Sequence, residues 1–545
     1  MVFRRRIGSL LTLVLAATFH TASAEESAIS DLDIGQLLLV GFKGQSVDDG
    51  LKTAIQAFHP GGVLLFGRNV QTVYQVAELT HAAQRLSLAH SKKPLLIAID
   101  QEGGNVIRLR HAPPLPSALA IAQTKNPQIA EKAGRATGTL LRTLGINTNL
   151  APVVDVSDPS TDTFLGTRSF GNDPGLVARL SSHFALGLQA ERVMPIAKHF
   201  PGHGDASGDS HFVAASSPLT RDEVMSKDLA PYLALSAALE KPWGIMLAHV
   251  SFPKIDPSKM PATFSSVIVQ GLLRKELGDD VLVVTDDIQM AGASTESDIG
   301  NRSVRAIEAG ADMVMIAWSL KVQKQVFSAI RKAIDTGRLK PERIRQSLRR
   351  IELAKSRYTT GEYKLPTVTK LKDAMKNPLF AEVGDSVLTA FVSANSGRTP
   401  ASISTIEKSD EAVLLLSPRL DFIKSFRSAA TGFQIRAVHL TPTQITHVER
   451  EIRAHPNSKI VAYASGPQAV KFISKLDDGV KSRVHLVSVE TSAMIPDADK
   501  FLSVLQPYYR HPQLGRAIAS LILERETSAS PSLKEETQTP QSDHP

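Results

Sequence analysis

Val193-Met194-Pro195-Ile196-Ala197-Lys198-His199-Phe200-Pro201-Gly202-His203-Gly204-Asp205-Ala206-Ser207-Gly208-Asp209-Ser210-His211 is the stretch that decides how this chain folds. Five apolar residues read as a buried strand. They give way at once to a loop that carries one lysine, three histidines and two aspartates among glycines. A core cannot accommodate such side chains, whereas a site at the end of a strand needs them, and glycine frees the backbone to present them. The loop closes on Asp209-Ser210-His211, where a carboxylate two residues from an imidazole is placed to orient it and hold its proton. His199 and His203 have the spacing of a helical zinc pair, but Pro201 and Gly202 between them oppose a helix, and the chain has no cysteine. A solvated surface loop is the plain alternative. The sequence implies no metal and no cofactor.

Working outward, eight apolar runs rich in β-branched residues span 36–42, 62–66, 94–99, 148–156, 193–197, 244–250, 281–285 and 312–317. Segments with helical spacing separate them, at 73–86, 129–144, 175–190, 226–239 and 303–309. Near-continuous apolar strands alternating with amphipathic helices predict a parallel sheet covered on its faces. Eight such units predict an α/β fold with a closed (β/α)8 TIM-type barrel, an open doubly wound sheet being the fallback. In a barrel, chemistry collects at the C-terminal ends of the strands. Asp100, Asp155, Lys198-His199, His249 and Asp286-Asp287 all fall there.

Residues 359–380 are polar and proline-containing and read as a linker. A C-terminal α/β sandwich domain is expected over 381–524, with strands near 412–416, 435–439, 459–464 and 485–489 and helices near 443–454, 467–476 and 514–523. The last residues, 525–545, lack apolar spacing and read as a disordered tail. At the other end, Arg4, Arg5 and Arg6 precede an apolar stretch over 7–19 and the small residues Thr21-Ala22-Ser23-Ala24. This is the pattern of a signal peptide over 1–24 cleaved after Ala24, which predicts a periplasmic or secreted protein with no stable membrane insertion once the signal is removed. The barrel domain is then expected over 25–358. The formal charge of +8 falls to +5 when those three arginines are set aside, and no basic tract remains to suggest nucleic acid.

Several motifs together carry a resemblance. They are Ile99-Asp100-Gln101-Glu102-Gly103-Gly104 followed by Arg108, Asn149-Leu150-Ala151-Pro152-Val153-Val154-Asp155, Thr167-Arg168-Ser169-Phe170-Gly171, the Lys198–His211 segment, Pro261-Ala262-Thr263-Phe264-Ser265 and Thr285-Asp286-Asp287. In this order the chain resembles glycoside hydrolase family 3, and within it the bacterial β-N-acetylhexosaminidases of the NagZ type, in a two-domain form. The resemblance implies a retaining exo-β-N-acetylglucosaminidase acting on peptidoglycan fragments (muropeptides) or chitin oligosaccharides. It makes Asp286 the nucleophile, with Asp287 the adjacent rival, and His211 the general acid/base partnered by Asp209. It assigns Asp100, Arg108, Arg168, Lys198 and His199 to gripping the N-acetylglucosamine unit. A β-glucosidase-like enzyme, an N-acetylglucosaminide phosphorylase and a non-catalytic carbohydrate-binding envelope protein are the alternatives. Because the histidine element is present, the second domain is expected to shape substrate access and not to supply the acid/base.

Overall fold

The computed structural model describes residues 28–162, 164–210, 212–294, 298–359, 363–396, 406, 412–440 and 445–523. The expected signal peptide, the tail and His211 lie outside these residues. The eight predicted runs become eight parallel strands: β1 (Leu38–Gly41), β2 (Gly62–Leu65), β3 (Leu96–Ile99), β4 (Thr148–Asn149), β5 (Met194–Phe200), β6 (Gly244–Leu247), β7 (Leu282–Asp287) and β8 (Met313–Ile316). They close into a barrel in the order β1-β8-β7-β6-β5-β4-β3-β2. Almost every strand residue is buried, as expected where side chains fill the barrel on one face and helices cover the other.

The covering helices begin where the local chemistry dictates. Thr72 accepts from the Gln75 N–H to start Val73–Ser91, and Asp298 does the same for the first turn of Ile299–Ala309. Asn126-Pro127 and Asp173-Pro174 open the helices Pro127–Thr143 and Pro174–Ala190. Two elements differ from the sequence reading. The fourth run stops at Asn149, because Pro152 has no N–H to donate to a ladder. The helix expected over 226–239 is divided into a π-helical turn, Val224–Asp228, and an α-helix, Leu229–Ala238.

At the bottom of the barrel Asp312 is fully buried and bound by Arg274, Arg343 and Arg350, with Ser347 and the Val283 N–H completing its shell. This cluster lies at the N-terminal end of β8 and is structural.

Beyond Tyr358 the stretch read as a linker contains a helix, Val368–Met375, capped by Thr367. A longer helix, Leu379–Ser396, packs on Pro127–Thr143 and lays Phe380, Val383 and Val387 into the barrel's own core. A second parallel sheet follows: β9 (Val413–Ser417), β10 (Ile435–His439), β11 (Ile460–Ala464), β12 (Val484–Ser488) and β13 (Ser503–Leu505), in the order β10-β9-β11-β12-β13. Separate apolar clusters cover its two faces. This unit docks on the segment that follows β3. Ser117 Oγ donates to the Tyr508 carbonyl (3.0 Å), Tyr509 OH to that of Pro114 (3.3 Å), and Asn105 Nδ2 to Glu490 Oε1 (3.2 Å). Among the described residues, no helix is long and apolar enough to cross a membrane.

Candidate active site

The rim at the C-terminal ends of the strands is built outward from the residue after each one. Asp100 directly follows β3. The turn beyond it is held from below by Asn149 on β4, whose side-chain amide accepts from the Gln101 N–H and donates to the Gln101 carbonyl, both at 3.0 Å. Gln101 Oε1 in turn accepts from the Arg108 and Leu109 N–H groups. Gly103 has φ +106°, and a Cβ there would lie 2.3 Å from the Pro116 carbonyl oxygen, so only glycine fits this turn.

The result is a buried ionic clasp. Lys198 Nζ, from β5, reaches Asp100 Oδ1 at 2.8 Å and Glu102 Oε1 at 2.7 Å. Arg108 binds the other oxygen of Asp100 at 3.1 Å. Arg168, in the loop after β4, grips Glu102 in a two-pronged pair with both bonds at 2.9 Å. Burial alone would raise both carboxyls, but the cations outweigh it. Asp100 is held well below the usual carboxylate range by Lys198 and Arg108, and Glu102 is lowered to about 2 by Arg168 and Lys198. Burial would likewise lower Lys198 and Arg168, yet their carboxylate partners raise both. Two anions against three cations leave one net positive charge. The set therefore does not suit a metal ion and is instead a rigid array of donors and acceptors for a neutral polar ligand. Arg108 Nε is buried without a hydrogen-bond partner among the described residues, which leaves a donor for such a ligand.

The sequence reading brings Asp100, Arg108, Arg168 and Lys198 into this clasp but does not single out Glu102. Its signal was the second carboxylate two residues after Asp100. His199 stands beside the clasp as part of a separate couple. Its Nδ1 bonds to Asp155 Oδ2 at 2.7 Å, and Asp155 also accepts from the backbone N–H groups of His199 and His203. Asp155 is buried and held low despite that burial by the histidine contacts. The Phe164 ring lies over His203, with centroids 4.3 Å apart, and His203 Nε2 meets Ser210 Oγ at 3.1 Å. The loop is thereby anchored by the two histidines that do not end it.

Asp286 is the last partly exposed residue of β7, and its Oδ1 accepts the Asp287 N–H at 2.8 Å. Asp287 is different in kind. Its Oδ1 accepts from the Gln289 and Ala317 N–H groups, both at 3.2 Å, and burial pushes its carboxyl up to about 6. Asp287 is thus tied into the β7–β8 junction, while Asp286 is partly exposed near the end of β7. The nearby His249 is fixed between Thr263 Oγ1 (2.8 Å) and the Asp287 carbonyl (3.1 Å).

This side of the rim is connected to the glycine-rich loop where the Gly292 N–H donates to the Ser210 carbonyl at 2.9 Å. A Cβ at 292 would lie 2.8 Å from that same oxygen. The Asp209 carbonyl accepts from the N–H groups of Phe212 and Val213, closing a tight turn. A cleft of about 770 Å³ lined by Phe164, Asp205, Asp209 and Lys254 opens beside it.

Residues 29–354 match the N-terminal domain of glycosyl hydrolase family 3. The chain belongs to glycosyl hydrolase family 3. It is a glycoside hydrolase, and its closed barrel with a separate α/β sheet is the architecture of family 3 neighbours. Across 513 residues it is 29% identical to beta-hexosaminidase A of Pseudoalteromonas piscicida, covering 86% of this chain and 84% of that one. Over 262 residues it is 37% identical to a beta-hexosaminidase of Pseudomonas aeruginosa, covering 47% and 76%. A solved family 3 beta-N-acetylglucosaminidase from Paenibacillus sp. superposes with a TM-score of 0.76 at 28% identity, covering 91% of this chain and 97% of that one.

Proposed function

We propose that this glycoside hydrolase is a retaining exo-β-N-acetylglucosaminidase that removes terminal β-linked N-acetylglucosamine from peptidoglycan fragments or chitin oligosaccharides. The observation that carries the reading is the arrangement of the rim. A partly exposed carboxylate, Asp286, stands at the same end of the barrel as the preformed clasp, and the loop that ends in Asp209-Ser210-His211 is bonded through Ser210 to the loop that follows Asp286. The relatives named beta-hexosaminidase support the sugar specificity.

In this account the clasp receives the hydroxyls of the non-reducing sugar, with Asp100 and Glu102 accepting and Arg108, Arg168 and Lys198 donating. An Asp286 oxygen bonds to C1 on the face opposite the aglycone. The C1–O bond breaks, and the proton of the His211 imidazolium moves onto the departing oxygen. Water then bonds to C1, its proton passes to His211, and the C1–Asp286 bond breaks. Two inversions leave the β configuration retained. An imidazole with an ordinary pKa of about 6.5 needs only a modest shift to serve as acid and then base near neutrality, and Asp209 favours its charged form. Such proton transfer contributes a factor of about 10²–10⁴ in rate.

The second domain, docked on the β3 turn through Asn105 and Glu490, limits access from that side in the same reading. Export with cleavage after Ala24 completes it, giving a periplasmic or secreted enzyme. Proton NMR of a freshly started hydrolysis of 4-nitrophenyl N-acetyl-β-glucosaminide, which releases a single sugar, tests the mechanism. The β-anomer of N-acetylglucosamine should appear from the cleaved unit before mutarotation, and first appearance of the α-anomer there would rule the mechanism out.

A further inference from the structure

Resting on the proposed function, we propose that Trp318, backed by Arg68 and Phe66, is the platform on which the first aglycone sugar ring stacks. The barrel's own order sets the geometry. The clasp draws on β3, the loop after β4 and β5, so it centres on β4, and β8 lies diametrically across the closed sheet. Trp318 stands two residues past the end of β8. An exo-acting site that holds the non-reducing end in the clasp directs C1, and the group bonded to it, towards that opposite side.

Trp318 is built for this position. It is 52% exposed, although large aromatic rings are usually buried. Its ring is held from behind: it stacks with Phe66 at 6.0 Å and 22° between planes, and the Arg68 guanidinium lies 4.1 Å from its centroid. Arg68 is itself fixed by donating to the Phe42 and Ala317 carbonyls. The Trp318 backbone is coupled to the nucleophile's strand, because its N–H donates to Gln289 Oε1 and the preceding Ala317 N–H donates to Asp287. A cleft of about 580 Å³ opens beside the ring, bordered by Lys43, Asp48, Ser319 and Lys321, which offer polar partners to the rim of a sugar. A rigid aromatic face with polar groups at its edge matches a pyranose, whose C–H face is apolar and whose hydroxyls point outward.

Two substrates separate this role from the reaction itself. N-acetyl-β-glucosaminyl azide has no aglycone ring, while N,N′-diacetylchitobiose carries one. Trp318→Ala should lower kcat/KM for the disaccharide by about tenfold or more and leave that for the azide within about twofold, with Trp318→Phe close to wild type on both. Equal effects of Trp318→Ala on the two substrates, or none on either, would overturn the platform. A wild-type enzyme that cleaves neither would instead overturn the proposed function. A binding readout on the unaltered protein is independent of variant folding. The chain has two tryptophans and Trp243 is fully buried, so iodide quenching reports Trp318. A sulfur-linked N,N′-diacetylchitobiose should shield it from iodide and N-acetylglucosamine alone should not; unchanged quenching with the saturating disaccharide analogue would count against stacking.

Discussion

Replacing Glu102 with glutamine keeps the shape of the side chain and removes the charge that Lys198 and Arg168 share. The carboxyl sits at about 2 in place of its ordinary 4.5, which corresponds to about 3 kcal/mol in favour of the charged form. Glu102 is buried, so little of that is lost to solvent screening. The sign follows from the depressed value: the contribution is fully present above pH 4.5 and is lost as pH falls towards 2. Glu102→Gln should therefore destabilise the barrel by about 3 kcal/mol at pH 7, within the range for breaking a buried ion pair, and the gap to wild type should narrow below pH 4.5. Both tryptophans lie in the barrel, so their fluorescence in urea follows its unfolding without the second domain. Loss of substrate grip should accompany the change as a raised KM. A variant with an unaltered urea midpoint at pH 7, or a gap that stays constant down to pH 3, would refute the clasp as described.

Three further outcomes follow from the same geometry. Asp287→Asn keeps both backbone hydrogen bonds and removes a carboxylate that burial raises to about 6. It should stabilise the fold by about 1–3 kcal/mol above pH 6, a gain that fades as pH falls to 4, seen by calorimetry across pH. Gly292→Val would place side-chain atoms against the Ser210 carbonyl and push the histidine-bearing loop away. Turnover of an aryl N-acetylglucosaminide should drop by about 10²-fold while the thermal midpoint moves little. Asp312→Ala leaves the buried Arg274 and Arg350 and the half-buried Arg343 without their shared anion and should cost about 3–5 kcal/mol in urea unfolding, with the kinetics of the surviving folded fraction unchanged.

Much of this was legible in the residues because a parallel barrel writes its strands as uninterrupted apolar runs. Each run overlaps its strand, though β5 and β7 continue past the runs to Phe200 and Asp287, so Lys198 and Asp286 stand on the strand ends themselves while Asp100 directly follows β3. Elements set by tertiary contact were harder to read. The strand Ser503–Leu505 is too short to show a pattern, and the helix Val368–Met375 sits in a polar stretch whose only local signal is the Thr367 cap. The helix Leu379–Ser396 is held by the barrel surface it covers. At the site, the sequence shows which side chains are present but not which partners they choose. Glu102 as the second anion of the clasp, Asn149 as the brace of the β3 turn, and the Gly292–Ser210 bond between two distant loops each depend on contacts across the rim. Trp318 is invisible as a site residue in the sequence, where a tryptophan after an apolar run reads as core.

The proposed reaction requires Asp286 to form a bond to the sugar. Incubation with an activated fluorinated N-acetylglucosaminyl donor, followed by digestion and mass spectrometry, reads this directly. The account predicts one sugar per chain on the peptide containing Asp286, with fragmentation placing it on that side chain. A label on Asp287, or turnover of the donor with no covalent adduct at any time, would contradict it.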